Sequence, residues 1–174
     1  DRLKKLVVDL VDASKASSGV LKLDMQPMKI DVLLEQIAGE YTERLKENNL
    51  ELIMRKPEES IRIMADGQRI YRVFDNLMNN IYKYALPNTR VYLLLEKDND
   101  KAMISFKNIS ATELDMSAND LMERFVRGDK SRNTEGSGLG LSIAESLTRL
   151  QNGDFSIQLD GDLFKIVITF PIIE

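Results

Sequence analysis

Neither histidine nor cysteine occurs in this chain of 174 residues. The first absence removes imidazole general-base chemistry, Ser-His triads and histidine metal sites together. The second removes disulfides and thiolate metal sites, and it fits a reducing compartment. No apolar run reaches the ~20 residues of a membrane-spanning helix. The longest candidate, residues 166–173, contains Thr169 and Pro171 and reads as a terminal strand. A basic surplus is missing too: the formal net charge is -4. General nucleic-acid binders carry a basic surface, so no nucleic-acid partner is expected, although a few local cations and a metal can still hold a phosphate. There is no signal peptide, internal repeat or low-complexity tract. The chain starts at Asp1 rather than Met, so a fragment of something longer is expected. Any chemistry must rest on amides, carboxylates, amines or backbone groups.

With 43% hydrophobic residues, the chain is able to bury one core, with room for an appendage. Its organising stretch is DGQRIYRVFDNLMNNIYKY, residues 66–84. At helical spacing, Ile70, Val73, Leu77, Ile81 and Tyr84 form an apolar stripe, widened by Phe74 and Met78. Beside it runs a polar row of Arg69, Arg72, Asn76, Asn80 and Lys83. Asn76 and Asn80 are four apart, so both leave one face about a turn apart. Asparagine is a poor helix former, and a buried amide needs partners. Either the two amides satisfy each other in a solvated stripe, or the helix presents amides and an ammonium to a ligand.

The flanking segments read as follows. Residues 1–18 form an amphipathic helix with Leu3, Leu6, Val7, Leu10 and Val11 on one side, stopped at Gly19. A helix of that length is marginal alone, so its stripe is expected to meet a partner helix. Residues 21–25 alternate as a short strand. Asp31 caps a helix running to about Asn48, with Glu35 in its first turns. Residues 50–55 and 61–64 are strands around a turn at Pro57. Residues 90–96 and 102–107 form a hairpin. Leu121, Met122 and Phe125 suggest a short docked helical turn, and residues 127–135 a mobile polar loop. A helix covers about 139–150 and ends at Asn152-Gly153. Residues 155–159 and 164–170 close with a second hairpin over Asp160-Gly161-Asp162. The order gives an α/β (α+β) two-layer sandwich: a mixed, mostly antiparallel sheet on about three helices, with a short N-terminal helical stub.

Gly136-Ser137-Gly138-Leu139-Gly140-Leu141 stands where the last helix begins. Glycines there admit close backbone approach, and free N–H groups at a helix start favour an anion. A flexible loop running into a helix looks similar. The P-loop is excluded because Gly-Lys-Ser/Thr is missing. The dinucleotide fingerprint is excluded because a charged run, not a strand, precedes the glycines. That run supplies Arg127, Lys130 and Arg132, either as cations for a polyphosphate or as a solvated loop.

Together these stretches reach a family. NLMNNIYKY resembles the asparagine box of bacterial sensor histidine kinases, and ERFVRGDKSRNTEGSGLGLSIAESL resembles their phenylalanine and second glycine boxes with the ATP lid between. The resemblance covers nearly the whole chain. Residues 1–19 look like the end of a dimerisation-domain helix and its linker, and residues 20–174 like the catalytic ATP-binding domain. It implies the Bergerat ATP-binding fold shared with gyrase, Hsp90 and MutL, with ATP and Mg²⁺ as cofactors. The implied reaction passes the γ-phosphoryl group of ATP to a histidine outside this fragment, which leaves the fragment inactive in autophosphorylation alone. The implied partners are the histidine-bearing dimerisation domain of the same protein, a response regulator and a second copy in a homodimer. The implied location is cytoplasmic, within a membrane-anchored sensor. The alternative is an ATP-binding module without kinase chemistry, either a scaffold or a gyrase/Hsp90-like ATPase.

By the same resemblance Asn80 is the Mg²⁺ ligand, and Lys83 and Tyr84 line the nucleotide. Asn76 takes the place of the water-activating glutamate of gyrase; an amide cannot accept that proton, so hydrolysis should be poor. Phe125 matches the lid hinge, Gly136, Gly138 and Gly140 the phosphate-facing glycines, with Ser137, Leu139 and Leu141 between and after them. Lys130 and Arg132 match lid contacts to phosphate. One departure stands out: the Asp-x-Gly-x-Gly of the first glycine box is replaced by Phe106-Lys107-Asn108-Ile109-Ser110. Asn108 then stands at the adenine-binding aspartate; its oxygen accepts from the adenine amino group and its NH₂ is available to a ring nitrogen. Otherwise Asn108 is only a turn residue.

Overall fold

The computed structural model describes residues 2–114, 117–127 and 139–174, with backbone alone for residues 2, 5, 6, 9, 13, 16, 17 and 123–127. In chain order the elements are α1 (Arg2–Ser18), β1 (Gln26–Lys29), α2 (Ile30–Lys46), β2 (Glu51–Arg55), β3 (Arg62–Ala65) and α3 (Gly67–Tyr84). Then come β4 (Arg90–Asp98), β5 (Lys101–Ile109), α4 (Ala118–Arg127), α5 (Gly140–Leu150), β6 (Asp154–Asp160) and β7 (Leu163–Pro171).

Five strands form a sheet in the order β2-β4-β5-β7-β6. Only the β2–β4 pair is parallel; the other three are antiparallel. The expected mixed, mostly antiparallel two-layer sandwich is what forms. Strand alternation sends one set of side chains to the helices: Ala102, Ile104 and Phe106 of β5 lie opposite Phe170, Ile168 and Ile166 of β7, and all six are buried. α3 packs on this face, with the Phe74 and Phe106 rings 5.5 Å apart and tilted by 40°. α2 joins α3 through Tyr41, whose hydroxyl donates to Asp75 Oδ1 at 2.6 Å. Burial first, and then this bond, push the Tyr41 hydroxyl well above the usual tyrosine pKa. α5 packs against α3, and α1 lies along α5.

Two expectations change. No strand forms over residues 21–25; pairing starts at Gln26, opposite Ala65. The physical reason is a competing side chain: the Asp24 N–H is taken by Asp66 Oδ2 at 2.9 Å. Nor does Asp31 cap α2. The cap position falls to Lys29, which gives no side-chain cap, while Asp31 sits in the first turn. Its carboxylate is spent on the incoming strand instead, accepting from Ser60 Oγ at 2.7 Å and Ile61 N–H at 3.3 Å. The hairpin strands also run further than periodicity alone indicates, to Asp98 and from Lys101, because Asn99 adopts a left-handed φ of 55° that tightens the turn. Gly19 does stop α1, at φ 70°.

α3 begins on Asp66, which is a full cap. Its Oδ1 accepts from Gln68 N–H at 3.1 Å and Arg69 N–H at 3.2 Å, while its own N–H donates to Gln151 Oε1 at 2.8 Å. Gln151 terminates α5, so one residue joins the linker and the start of α3 through its carboxylate and the end of α5 through its backbone N–H. Asp66→Ala removes a cap and strands buried N–H groups, and should destabilise the chain by about 1–3 kcal/mol. Asp66→Asn keeps an accepting oxygen and should recover most of that loss. Urea titration of the two variants against the parent checks both.

Candidate nucleotide site

Three elements converge on the polar side of α3. The first is the row of Asn76, Asn80 and Lys83 on α3 itself. The second is the start of α5: an ideal Cβ on Gly140 would lie 3.8 Å from Asn76 Oδ1. Among the described residues no side chain caps this helix start, which carries the positive end of the helix dipole. The third is the end of β5. Leu86 N–H donates to Ile109 O and Ala111 N–H to Tyr84 O, both at 2.8 Å, so the C-terminal end of α3 is stitched to the strand end that carries Asn108.

Asn108 belongs to the core-facing row of β5, opposite Phe164 of β7, and is buried. Strand period therefore delivers one amide to the end of an otherwise apolar row. Its Nδ2 donates to Ile109 O at 3.2 Å. That bond uses one of the two N–H donors of the amide. Its Oδ1 is buried with no hydrogen-bond partner. Asn76 is its complement, since its buried Nδ2 also lacks a partner. Among the described residues these are the two such atoms, one acceptor and one donor. Buried amides left unpaired cost free energy, and native structures hold few of them.

The remaining candidates fall into place as follows. Asn80, Lys83 and Tyr84 are partly buried on α3, and Leu139 is partly buried immediately before α5. Leu141 is buried in the core. Phe125 lies in α4, described in its backbone only. Lys130, Arg132, Gly136, Ser137 and Gly138, with most of the expected loop at 127–135, lie outside the described residues. Periodicity missed Asp66 and Gln151, which hold the two site-bearing helices together; an Asp directly before an apolar helical stripe was the available signal.

The sequence matches the family described as histidine kinase-, DNA gyrase B- and HSP90-like ATPase over residues 65–173. The chain belongs to this family. Its HATPase body starts at the last residue of β3 and takes in α3, α5 and the later strands. Among curated relatives, the signal transduction histidine-protein kinase BaeS of Escherichia coli (strain K12) is 31% identical over 87% of the chain and 32% of its own length. The sensor protein VanSC of Enterococcus gallinarum is 30% identical over 98% of the chain and 47% of its own length. The chain thus spans about a third to a half of the length of these relatives. The catalytic domain of histidine kinase ThkA superposes with a TM-score of 0.72, covering 86% of this chain and 96% of that one, at 20% identity, a likeness of fold. Within the HATPase family, the chain is an ATP-binding catalytic domain of the sensor histidine kinase type, not of the gyrase or Hsp90 type.

An unpaired buried donor is a defect unless something meets it. Asn76→Leu replaces that amide with an apolar group of similar volume, and removal of the orphan should stabilise the unliganded chain by about 1 kcal/mol or more. That corresponds to roughly 2–4 °C in melting temperature for a chain of this size. Calorimetry without nucleotide measures it, and a large loss of stability would show that Asn76 is serving the fold instead.

Proposed function

We propose that the site holds Mg²⁺–ATP and that, in the intact protein, the γ-phosphoryl group passes to a histidine on a dimerisation domain. The observation that carries this is the pair of orphan buried amide atoms at the two ends of the site. Asn108 Oδ1 is an acceptor fitted to the adenine amino group, and Asn76 Nδ2 a donor fitted to a phosphate oxygen. The start of α5 at Gly140 adds N–H groups of the sign a phosphate needs. Asn80 would hold Mg²⁺ through its amide oxygen, since hard cations take oxygen ligands. When bound, that ion would neutralise charge on the phosphates. Lys83 and Tyr84 line the nucleotide beside it. The lid would be formed by about residues 127–135, with Lys130 and Arg132 on the phosphates, Phe125 as its hinge and Gly136, Ser137, Gly138 and Leu139 leading into α5.

The residues of this chain bind, orient and exclude water; none of them abstracts a proton. Phosphoryl transfer needs positioning and charge stabilisation above all, so a site built from amides and one lysine suffices. Asn76 lacks the basicity to activate water, which favours transfer over hydrolysis. α1 would be the end of the dimerisation helix, joined through residues 19–25. A response regulator would take the phosphoryl group onward, and the intact protein would work as a homodimer. No described helix is long and apolar enough to cross a membrane; a membrane-anchored sensor with this domain in the cytoplasm is part of the proposal.

Isothermal titration should give Mg²⁺-dependent ATP binding that Asn80→Ala abolishes. Asn79→Ala is the control, because Asn79 already accepts from Arg44 Nη2 on the α2 side at 3.2 Å. Equal loss in both variants would show that the wrong face is assigned. Asn108→Ala should weaken ATP about ten- to a hundredfold and erode its advantage over GTP, as expected for one unmade buried bond. Unchanged affinity and selectivity would return Asn108 to a turn residue. Incubated alone with labelled ATP, the chain should form no phosphohistidine; adding the histidine-bearing helix should restore labelling. Fast phosphate release by the chain alone would favour an ATPase.

A further inference from the structure

The polar row on α3 has a second half. Arg69 and Arg72 continue the strip of Asn76, Asn80 and Lys83 at three- and four-residue steps, so all five side chains share one face. At ~1.5 Å rise per residue, Arg72 lies about 6 Å along the axis from Asn76 and about 12 Å from Asn80. This arginine end is already occupied. Asp12 of α1 accepts from Arg69 Nη1 at 3.3 Å and from Arg72 Nη1 in a closer ion pair. Asp12 is 8% exposed, and it is the one buried side chain among those described on α1. Leu3, Val7, Val8, Leu10 and Val11 are all exposed. Among the described side chains, α1 is therefore fastened to α3 by charge and not by apolar burial.

We propose that Asp12 is an internal anion that competes with the polyphosphate of the nucleotide for the cationic strip of α3, so that α1 docking and nucleotide binding oppose each other. The inference rests on the nucleotide reading above. With α1 docked, the Asp12 carboxylate neutralises the two guanidinium groups of the α3 strip and places a like charge within about two helical turns of the phosphate site. The screening length at physiological salt is about 8 Å, and the groups are partly buried, so this repulsion persists. Linkage is reciprocal: whatever Asp12 takes from nucleotide affinity, nucleotide takes from α1 docking. The nucleotide-loaded body would thus release the helix that leads toward the dimerisation domain.

The test uses the 174-residue chain and Mg²⁺–ATP, with binding read by titration calorimetry and α1 docking by hydrogen exchange over residues 2–18. Asp12→Asn should bind ATP about three- to tenfold more tightly than the parent, and the difference should shrink as sodium chloride is raised. Asp12→Glu keeps the carboxylate and should stay close to the parent. Arg72→Gln separates competition from mere loosening: it should speed α1 exchange as Asp12→Asn does, yet weaken ATP. In the parent, ATP should speed exchange in α1. The inference is overturned if Asp12→Asn binds ATP no better than the parent, or if ATP leaves α1 exchange in the parent unchanged or slower. A parent that binds no Mg²⁺–ATP would instead overturn the nucleotide reading itself.

Discussion

α3 works under one constraint: it must bury an apolar face against the sheet while the adjoining strip stays polar along its whole length. The apolar side is fixed by Ile70, Val73, Phe74, Leu77 and Ile81, all buried, with Phe74 against Phe106 of β5. Rotation of the helix about its axis would bury Arg72 and Asn80 and expose Phe74, a change opposed by both hydrophobic and desolvation costs. The orientation of the strip follows from the core. Everything attached to the strip then has a defined place: Asn76 beneath Gly140 of α5, Arg69 and Arg72 against Asp12, and Tyr84 stitched to the end of β5.

The two helices that build the site are tied at the ends away from it. Gln151 at the end of α5 accepts the Asp66 N–H at the start of α3, and Asp66 in turn holds Asp24 of the linker. The opposite ends of the same helices carry Gly140 and Lys83. The orphan amide atoms lie on α3 and at the end of β5. A fold that leaves Asn76 Nδ2 and Asn108 Oδ1 unpaired gives up some stability there, a pattern expected where binding is the purpose of the residue.

Local periodicity made much of this legible. α3 was readable because its apolar and polar stripes are both long, and the hairpins because alternation and turn residues agree. The register of Asn108 was not read, because the strand was expected to end at Lys107, whereas β5 runs on to Ile109 and puts Asn108 on the face of Phe106. What periodicity did not carry was pairing over distance. Asp24 meets Asp66 across 42 positions, and Asp12 meets Arg69 across 57. These contacts displaced the expected strand at 21–25 and gave the arginine row its partner. Asp31 failed as a cap for the same reason, its carboxylate having a better use on Ser60.

The most direct measurement is a crystal structure of the chain with Mg²⁺ and a non-hydrolysable ATP analogue. The account predicts a phosphate oxygen within hydrogen-bond distance of Asn76 Nδ2, about 2.7–3.2 Å, and the adenine amino group donating to Asn108 Oδ1. It also predicts that the Asn108 NH₂ stays on Ile109 O. A nucleotide bound elsewhere, or bound here with both amide atoms still unpaired, would contradict it.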